Sequence, residues 1–483
     1  MILLKNKSLD KIFNILESIF LCLFGIYVIL GNNNITYGTK IISIFMWPSL
    51  LLGLFIVLYR FLNYKKFIKM PGIIGILGLL FSIGISTLLN YKYSFKENIV
   101  FCIYWVLFFV VLYFTDDEAP VEKIIQKLKV IGLVFVSYSL LCSISSIYMM
   151  FSGVTGKIIA SDGYEFYKGF SIGRLWGVFI NPNNGAITCA LATIILVFFI
   201  ITAKKLLWKI IFGTLIIPEI FFIALSDSRS GAVCLGVLLA VFALAVALYK
   251  IQDRKVYIRI SAILASLVIA VVGFYIPRGT KTLYNSISVS INNSNNSATS
   301  SESTPSNTPS TPPKKPINVV DRGYDLNGDI SNRRFDIWKG AVELFVDSPK
   351  SILLGYSFKG FTEQALIIQP ENYIVNNSYA KLKTTENEIL NMLVSQGIFG
   401  FAFFLILIIS IIMLIFKKFY KLNNQNIYIA ALGIAISVAL AVSAMFGAIM
   451  FYTIAQYTIL FWCFLGGLVH ILRKSTGVEN HGE

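Results

Sequence analysis

The sequence predicts an all-α polytopic membrane protein of about 12 transmembrane helices, with one long extracytoplasmic loop that contains a short helical region. Three observations predict it. Of the 483 residues, 56% are hydrophobic and only 14% charged, and the mean hydropathy is +0.73, outside the range of soluble globular chains. Twelve apolar runs each approach the roughly 20 residues that a helix needs to cross a hydrocarbon core. The lysines and arginines between those runs collect on alternate connections.

Nine runs come first, at about residues 12–30, 41–62, 72–90, 97–115, 130–151, 183–202, 207–225, 230–249 and 257–277. Three more follow a long interruption, at 392–416, 427–446 and 449–471. The chain therefore divides into residues 1–277 with helices 1–9, a loop at 278–387, helices 10–12 within 388–472, and a tail at 473–483. The first run is long enough to span and lacks a small-residue cleavage site, so it is expected to remain as an uncleaved anchor.

Orientation follows from where the positive charges lie. With both termini cytoplasmic, 22 lysines and arginines fall on the inside, among them Arg60, Lys65, Lys66, Lys127, Arg473 and Lys474. Only seven occupy the short outside connections, including Arg174 and Arg229. This is the positive-inside pattern of a multi-pass protein of the cell membrane, and it puts the long loop outside. The net charge of +16 is thereby explained without nucleic acid as a partner. All six cysteines lie in apolar runs, so none is placed to staple the loop.

The loop is not uniform. Residues 292–316 (NNSNNSATSSESTPSNTPSTPPKKP) form a Ser/Thr/Asn/Pro-rich tract that cannot bury enough apolar surface to fold and is expected to be disordered. Residues 331–387 are expected to be structured and to bear the site, with a helix on which Trp338, Val342 and Phe345 share a face and Arg334 and Trp338 stand four apart.

Four segments outside the spans carry unusual polar residues. Residues 169–185 (GFSIGRLWGVFINPNNG) hold Arg174 beside Trp176 and end in Asn181-Pro182-Asn183, a helix-start signal. Residues 226–231 (SDSRSG) form a tight turn in which Arg229 either pairs with Asp227 or holds an anion, with Ser228 and Gly231 letting backbone amides approach it. Arg333 and Arg334 open the loop helix and form an anion clamp or an amphipathic surface. Residues 385–388 (TENE) precede the tenth span, where one glutamate is explained by capping a helix N-terminus and the second less readily. Glu219, deep in the seventh run beside Pro218, is expected to pair with an interior arginine or hydroxyl.

Together these segments resemble the O-antigen ligase and polysaccharide polymerase superfamily of bacterial membrane glycosyltransferases. The resemblance rests on Arg174 with Asn181-Pro182-Asn183 and Gly185, Ser228-Arg229-Ser230-Gly231, Arg334 with Trp338, Pro349 and Gly355, and Glu386-Asn387 with Leu390, Gly397 and Gly400. It spans about residues 170–415. It implies an enzyme that transfers an undecaprenyl-pyrophosphate-linked oligosaccharide, on the outer face, to a growing polysaccharide chain. A chain-length regulator and a flippase of the same pathway would be its partners.

In that reading the diphosphate leaving group falls to Arg174, Arg229 and Arg334, assisted by Ser228, Arg333, Trp338 and Asn387, with Glu386 as general base. No metal and no cofactor is expected. The only two histidines, His470 and His481, lie at the cytoplasmic end, and Asp325-Leu326-Asn327-Gly328-Asp329 is an incomplete calcium loop. Ligases of the superfamily resemble a His-Asn-x-x-Leu pattern where this chain has Glu386-Asn387-x-x-Leu390, a departure that favours a capsule, exopolysaccharide or O-antigen polymerase over a ligase. A flippase or exporter of lipid-linked saccharides would instead concentrate polar residues near the membrane midplane. A cell-wall polymerase acting on peptidoglycan precursors would share the span count and the chemistry. A membrane sensor would use the loop to bind a ligand, which leaves the polar residues of the short connections without a role.

Overall fold

The computed structural model describes residues 7–160, 165–299, 333–376 and 384–474. Every expected apolar run contains a helix, though not always over its full length. In order these are α1 (Lys7–Gly31), α2 (Ile41–Leu62), α3 (Ile73–Leu89), α4 (Phe95–Val106, continued by a π-helical stretch to Tyr113) and α5 (Val121–Phe151). They continue with α6 (Pro182–Thr202), α7 (Leu206–Ser226), α8 (Arg229–Lys250) and α9 (Val256–Thr299). The loop supplies α10 (Arg334–Phe345), α11 (Pro349–Leu354) and α12 (Phe361–Ile368), and the chain closes with α13 (Glu388–Lys418), α14 (Ile427–Ser443) and α15 (Gln456–Lys474). Among the described residues eleven helices are long and apolar enough to cross a membrane, and α3 is a shorter apolar helix.

Burial sorts the helices. Most of α6 and nearly all of α15 is buried, so these two helices form the centre. By contrast α2, α7 and α9 leave Leu51, Leu58, Ile210, Ile217, Val268 and Val271 exposed, apolar surface that suits lipid. Glu219 is fully buried and accepts a hydrogen bond from Ser139 Oγ at 2.8 Å, which meets the expectation of a hydroxyl partner. At one end of the bundle Glu17 binds Arg60 at 2.9 Å and also Lys127, while Asp117 binds Arg473 at 2.8 Å. The candidate site residues all lie at the other end.

Three features depart from the expected helices. The first is a three-stranded antiparallel sheet between α5 and α6, made of β1 (Thr155–Ile159), β2 (Glu165–Ser171) and β3 (Arg174–Gly177). Ser171 pairs with Arg174 across a two-residue turn in which Ile172 and Gly173 both have positive φ, at 51° and 66°. That is a hairpin geometry which normally selects Asn-Gly, so the sequence carried only half of its signal.

Second, α9 does not end at residue 277. It runs through Pro277 to Thr299, so residues 292–299 of the tract expected to be disordered are helical. Residues 300–316, the Asp325–Asp329 segment and His481 lie outside the described residues.

Third, the run expected to be helical from 449 begins as irregular chain, and α15 starts only at Gln456. Non-helical backbone among transmembrane helices requires internal partners for its polar groups. Here side chains supply them. Glu388 accepts the amides of Ile449 (2.6 Å), Phe451 (2.6 Å) and Tyr452 (3.0 Å). The carbonyls of Ile449, Met450, Phe451 and Ile454 accept from Thr458, Trp462, Trp105 and Asn32 respectively.

Candidate functional site

The sheet places Arg174. Asn34 Nδ2, from the connection between α1 and α2, donates to the carbonyls of Tyr167 and Gly177 and so pins β2 and β3 over the bundle. Arg174 at the head of β3 then reaches two helix ends at once. Its Nε donates to the Ser226 carbonyl and its Nη2 to Asn183 Oδ1, both at 2.7 Å. Asn183 lies in the first turn of α6, where Asn181 caps the helix by accepting the Asn183 amide, as Asn181-Pro182-Asn183 led one to expect. Arg174 therefore joins the segments 169–185 and 226–231, which are unconnected in the sequence.

The turn from α7 to α8 is set by Asp227, at φ 50°, and by Ser228, whose Oγ accepts the Gly231 amide at 3.1 Å. Gly231 is required by proximity, because a Cβ there would meet the Ala186 side chain at 2.3 Å. Arg229, in the first turn of α8, lines a cavity of about 590 Å³ together with Asp227, Ser228, Arg278, Lys281 and Asn285. The opposite wall is α9, drawn close to α8 by a glycine contact at the crossing: a Cβ on Gly273 would lie 2.8 Å from the Gly236 Cα. Asp227 finds an ion-pair partner on α9, 54 positions along the chain. Asp227 Oδ1 lies 3.2 Å from Lys281 Nζ.

The second group is built by α10 and the start of α13. Arg333 has φ 62°, and its Nη1 donates to the Tyr373 hydroxyl at 3.4 Å. Arg334 lies over the Phe446 ring at 5.9 Å and acts electrostatically on Glu386. The expected α10 face is displaced by one position. Ile337, Ala341 and Leu344 are buried and Val342 is 46% exposed, while Trp338 packs partly buried, its indole N–H meeting no acceptor among the described residues.

Neither glutamate of residues 385–388 caps its own helix. Asn387 does so, accepting the amides of Ile389 (2.9 Å) and Leu390 (3.1 Å) while donating to the Met445 carbonyl. Glu388 turns to the 449–452 chain as described above. Glu386 remains, with φ 52° and Thr384 Oγ1 donating to its Oε1 at 3.1 Å. Burial pushes its carboxyl above the usual glutamate range, against the pull of Arg334 and Thr384. Asp227, Arg333 and Glu386 are three of the six described non-glycine residues with positive φ, and strained backbone of this kind collects at functional sites.

The two groups share one end of the bundle, since α8 packs along α14 and the chain after α14 carries Met445 and Phe446 to Asn387 and Arg334. Arg278 and Lys281 were not singled out from sequence. The signal was available only as two cations one turn apart just beyond Pro277.

Residues 214–405 match a family model described as O-antigen ligase. The match takes in Ser228, Arg229, Arg334, Trp338, Glu386 and Asn387, and leaves Arg174 and the sheet outside. No curated protein matches the chain.

Proposed function

From the match of residues 214–405 to an O-antigen ligase family model and the residues gathered at the site, we propose that the protein is a polysaccharide polymerase of the O-antigen ligase and polymerase superfamily. It joins undecaprenyl-pyrophosphate-linked repeat units on the outer face of the cytoplasmic membrane. Arginines and a carboxylate at one end of the spans support this reading, and one observation carries it: Glu386, with burial raising its carboxyl, stands in the field of Arg334. An acceptor hydroxyl oxygen attacks the anomeric carbon of the donor sugar. Its proton passes to Glu386, and the bond from that carbon to the diphosphate oxygen breaks with its electron pair going to the diphosphate.

The charge that develops on the leaving group is met by Arg229 and Arg334, with Arg174 holding the α6 and α7 ends in register behind them. The Trp338 indole N–H offers a donor to a sugar oxygen. This division of labour needs no metal. The ligase reading is favoured by the family description, whereas the glutamate in place of the family's histidine favours polymerase.

The test is replacement of Arg229 or Arg334 by alanine in cells that make the glycan, followed by analysis of lipid-linked and polymeric sugar. Loss of polymer with single repeats accumulating on lipid, the protein still inserted, is expected. Normal polymer length in both variants would sink the assignment, and single repeats passed to a different acceptor would identify a ligase.

A further inference from the structure

Resting on the lipid-diphosphate reading above, we propose that the α9 extension beyond Pro277 completes the donor site. Arg278 and Lys281 bind the diphosphate, and the Asp227–Lys281 ion pair is a latch that the arriving donor opens and that re-forms to release the product.

Among the described residues, the cavity lining holds three cations, Arg229, Arg278 and Lys281, and one carboxylate, Asp227. At about 590 Å³ it is of the size that holds a small ligand or headgroup. Ile223, Ala224 and Tyr275 line its apolar side, where a lipid tail would leave the cavity. Arg278 is fixed without using its donors: its guanidinium rests on the rings of Phe274 (4.4 Å) and Tyr275 (5.3 Å), and it makes no side-chain hydrogen bond among the described residues. Stacking takes the guanidinium face and leaves the N–H edge for a forked contact with phosphate oxygens.

Lys281 is only 8% exposed in its side chain, so its charge is poorly screened by water and needs a counter-charge at all times. Asp227 lies 3.2 Å from Lys281 and contributes that charge. A diphosphate carries more negative charge than one carboxylate and draws Lys281 away. Asp227, 27% exposed, then turns its carboxylate to solvent. After transfer, the product lipid diphosphate leaves more easily because Asp227 competes for Lys281. The latch trades donor affinity for product release.

The experiment uses the full chain in lipid nanodiscs, with a polyprenyl diphosphate lacking sugar as the probe. Lys281→Met is expected to weaken probe binding at least tenfold, Lys281→Arg to retain it, and Asp227→Asn to tighten it while lowering kcat and KM together. A purely structural ion pair would instead make Asp227→Asn melt earlier and bind no better, and that result overturns the latch. Unchanged binding in both Lys281→Met and Arg278→Ala overturns the donor role. Displacement of the probe by excess anionic phospholipid would also overturn it, by making the cavity a general headgroup site. Arg229→Ala separates the two claims. If it abolishes binding while the α9 variants do not, only this inference falls; if it too binds normally, the reading of the site falls with it.

Discussion

Gly355 and Gly397 are locked against each other's chain: a Cβ on Gly355 would lie 2.3 Å from the Ser395 carbonyl carbon, and one on Gly397 would lie 2.3 Å from that of Leu353. Both have positive φ, 68° and 64°, and Gly397 interrupts α13 within its length. The interruption lets Val394 and Ser395 carbonyls accept the amides of Tyr356 and Ser357, so the loop is stitched into a transmembrane helix. Alanine at either position is expected to cost on the order of 2 kcal/mol or more, from backbone overlap and a left-handed conformation that alanine disfavours. Thermal melting of the two single variants and the double would check this, the double falling short of the sum because one contact is lost in each.

Glu388 serves the 449–452 chain with both oxygens, Oε2 to Ile449 and Oε1 to Phe451 and Tyr452. Glutamine has one acceptor oxygen, so Glu388→Gln leaves at least one buried amide facing an NH₂ group. A loss of about 1–3 kcal/mol is expected for that unmet group. Melting temperature and protease sensitivity measure it, and an unchanged melt would mean the irregular segment draws its stability from packing alone.

Glu386 gives a pH dependence with a defined sign. A general base works only when ionised, and burial raises this carboxyl above the usual glutamate range. The rate should therefore rise with pH through a midpoint higher than an ordinary glutamate would give. Glu386→Gln should lack that acid limb and turn over roughly 10² to 10⁴ times more slowly. Full activity in the variant would return Glu386 to a local structural role.

At the opposite end, Asp117 governs stability instead of rate. Burial works against its charge, but Arg473, Lys474 and Lys69 outweigh it and hold the carboxyl below the usual aspartate range. A depressed carboxyl binds fewer protons folded than unfolded, so its contribution is complete above the unfolded value and is lost as pH falls through the folded one. Wild-type protein should melt progressively earlier on acidification through that window. Asp117→Asn should melt earlier at neutral pH and lose that part of the acid dependence.

The helical fold was legible because hydrophobic run length is a property of consecutive residues, and a bilayer demands about the same length of every span. The helix start at Asn181-Pro182 was legible for the same reason, since a cap and its amides lie within three residues; the cap at Ser228 follows the same rule but was read only as part of a turn. The buried face of α10 was not legible, and Trp338 lies beside it instead of on it. A short helix next to other protein takes its buried face from its neighbours, which periodicity alone does not name.

By itself, then, the sequence determined the spans, the long loop and the identity of the polar residues that do not belong in lipid. What only the tertiary structure decided is partnership. Arg174 with Ser226 and Asn183, Asp227 with Lys281, and Glu388 with the chain at 449–452 are separated by between 9 and 64 positions. The sheet that aims Arg174 depends on Asn34, 133 positions before the strand residue it binds. The physical reason is common to all of them. A buried charge or an unpaired peptide group must find a partner in space, and many residues of the right chemistry are available along the chain. Packing of the helices decides which one comes within reach.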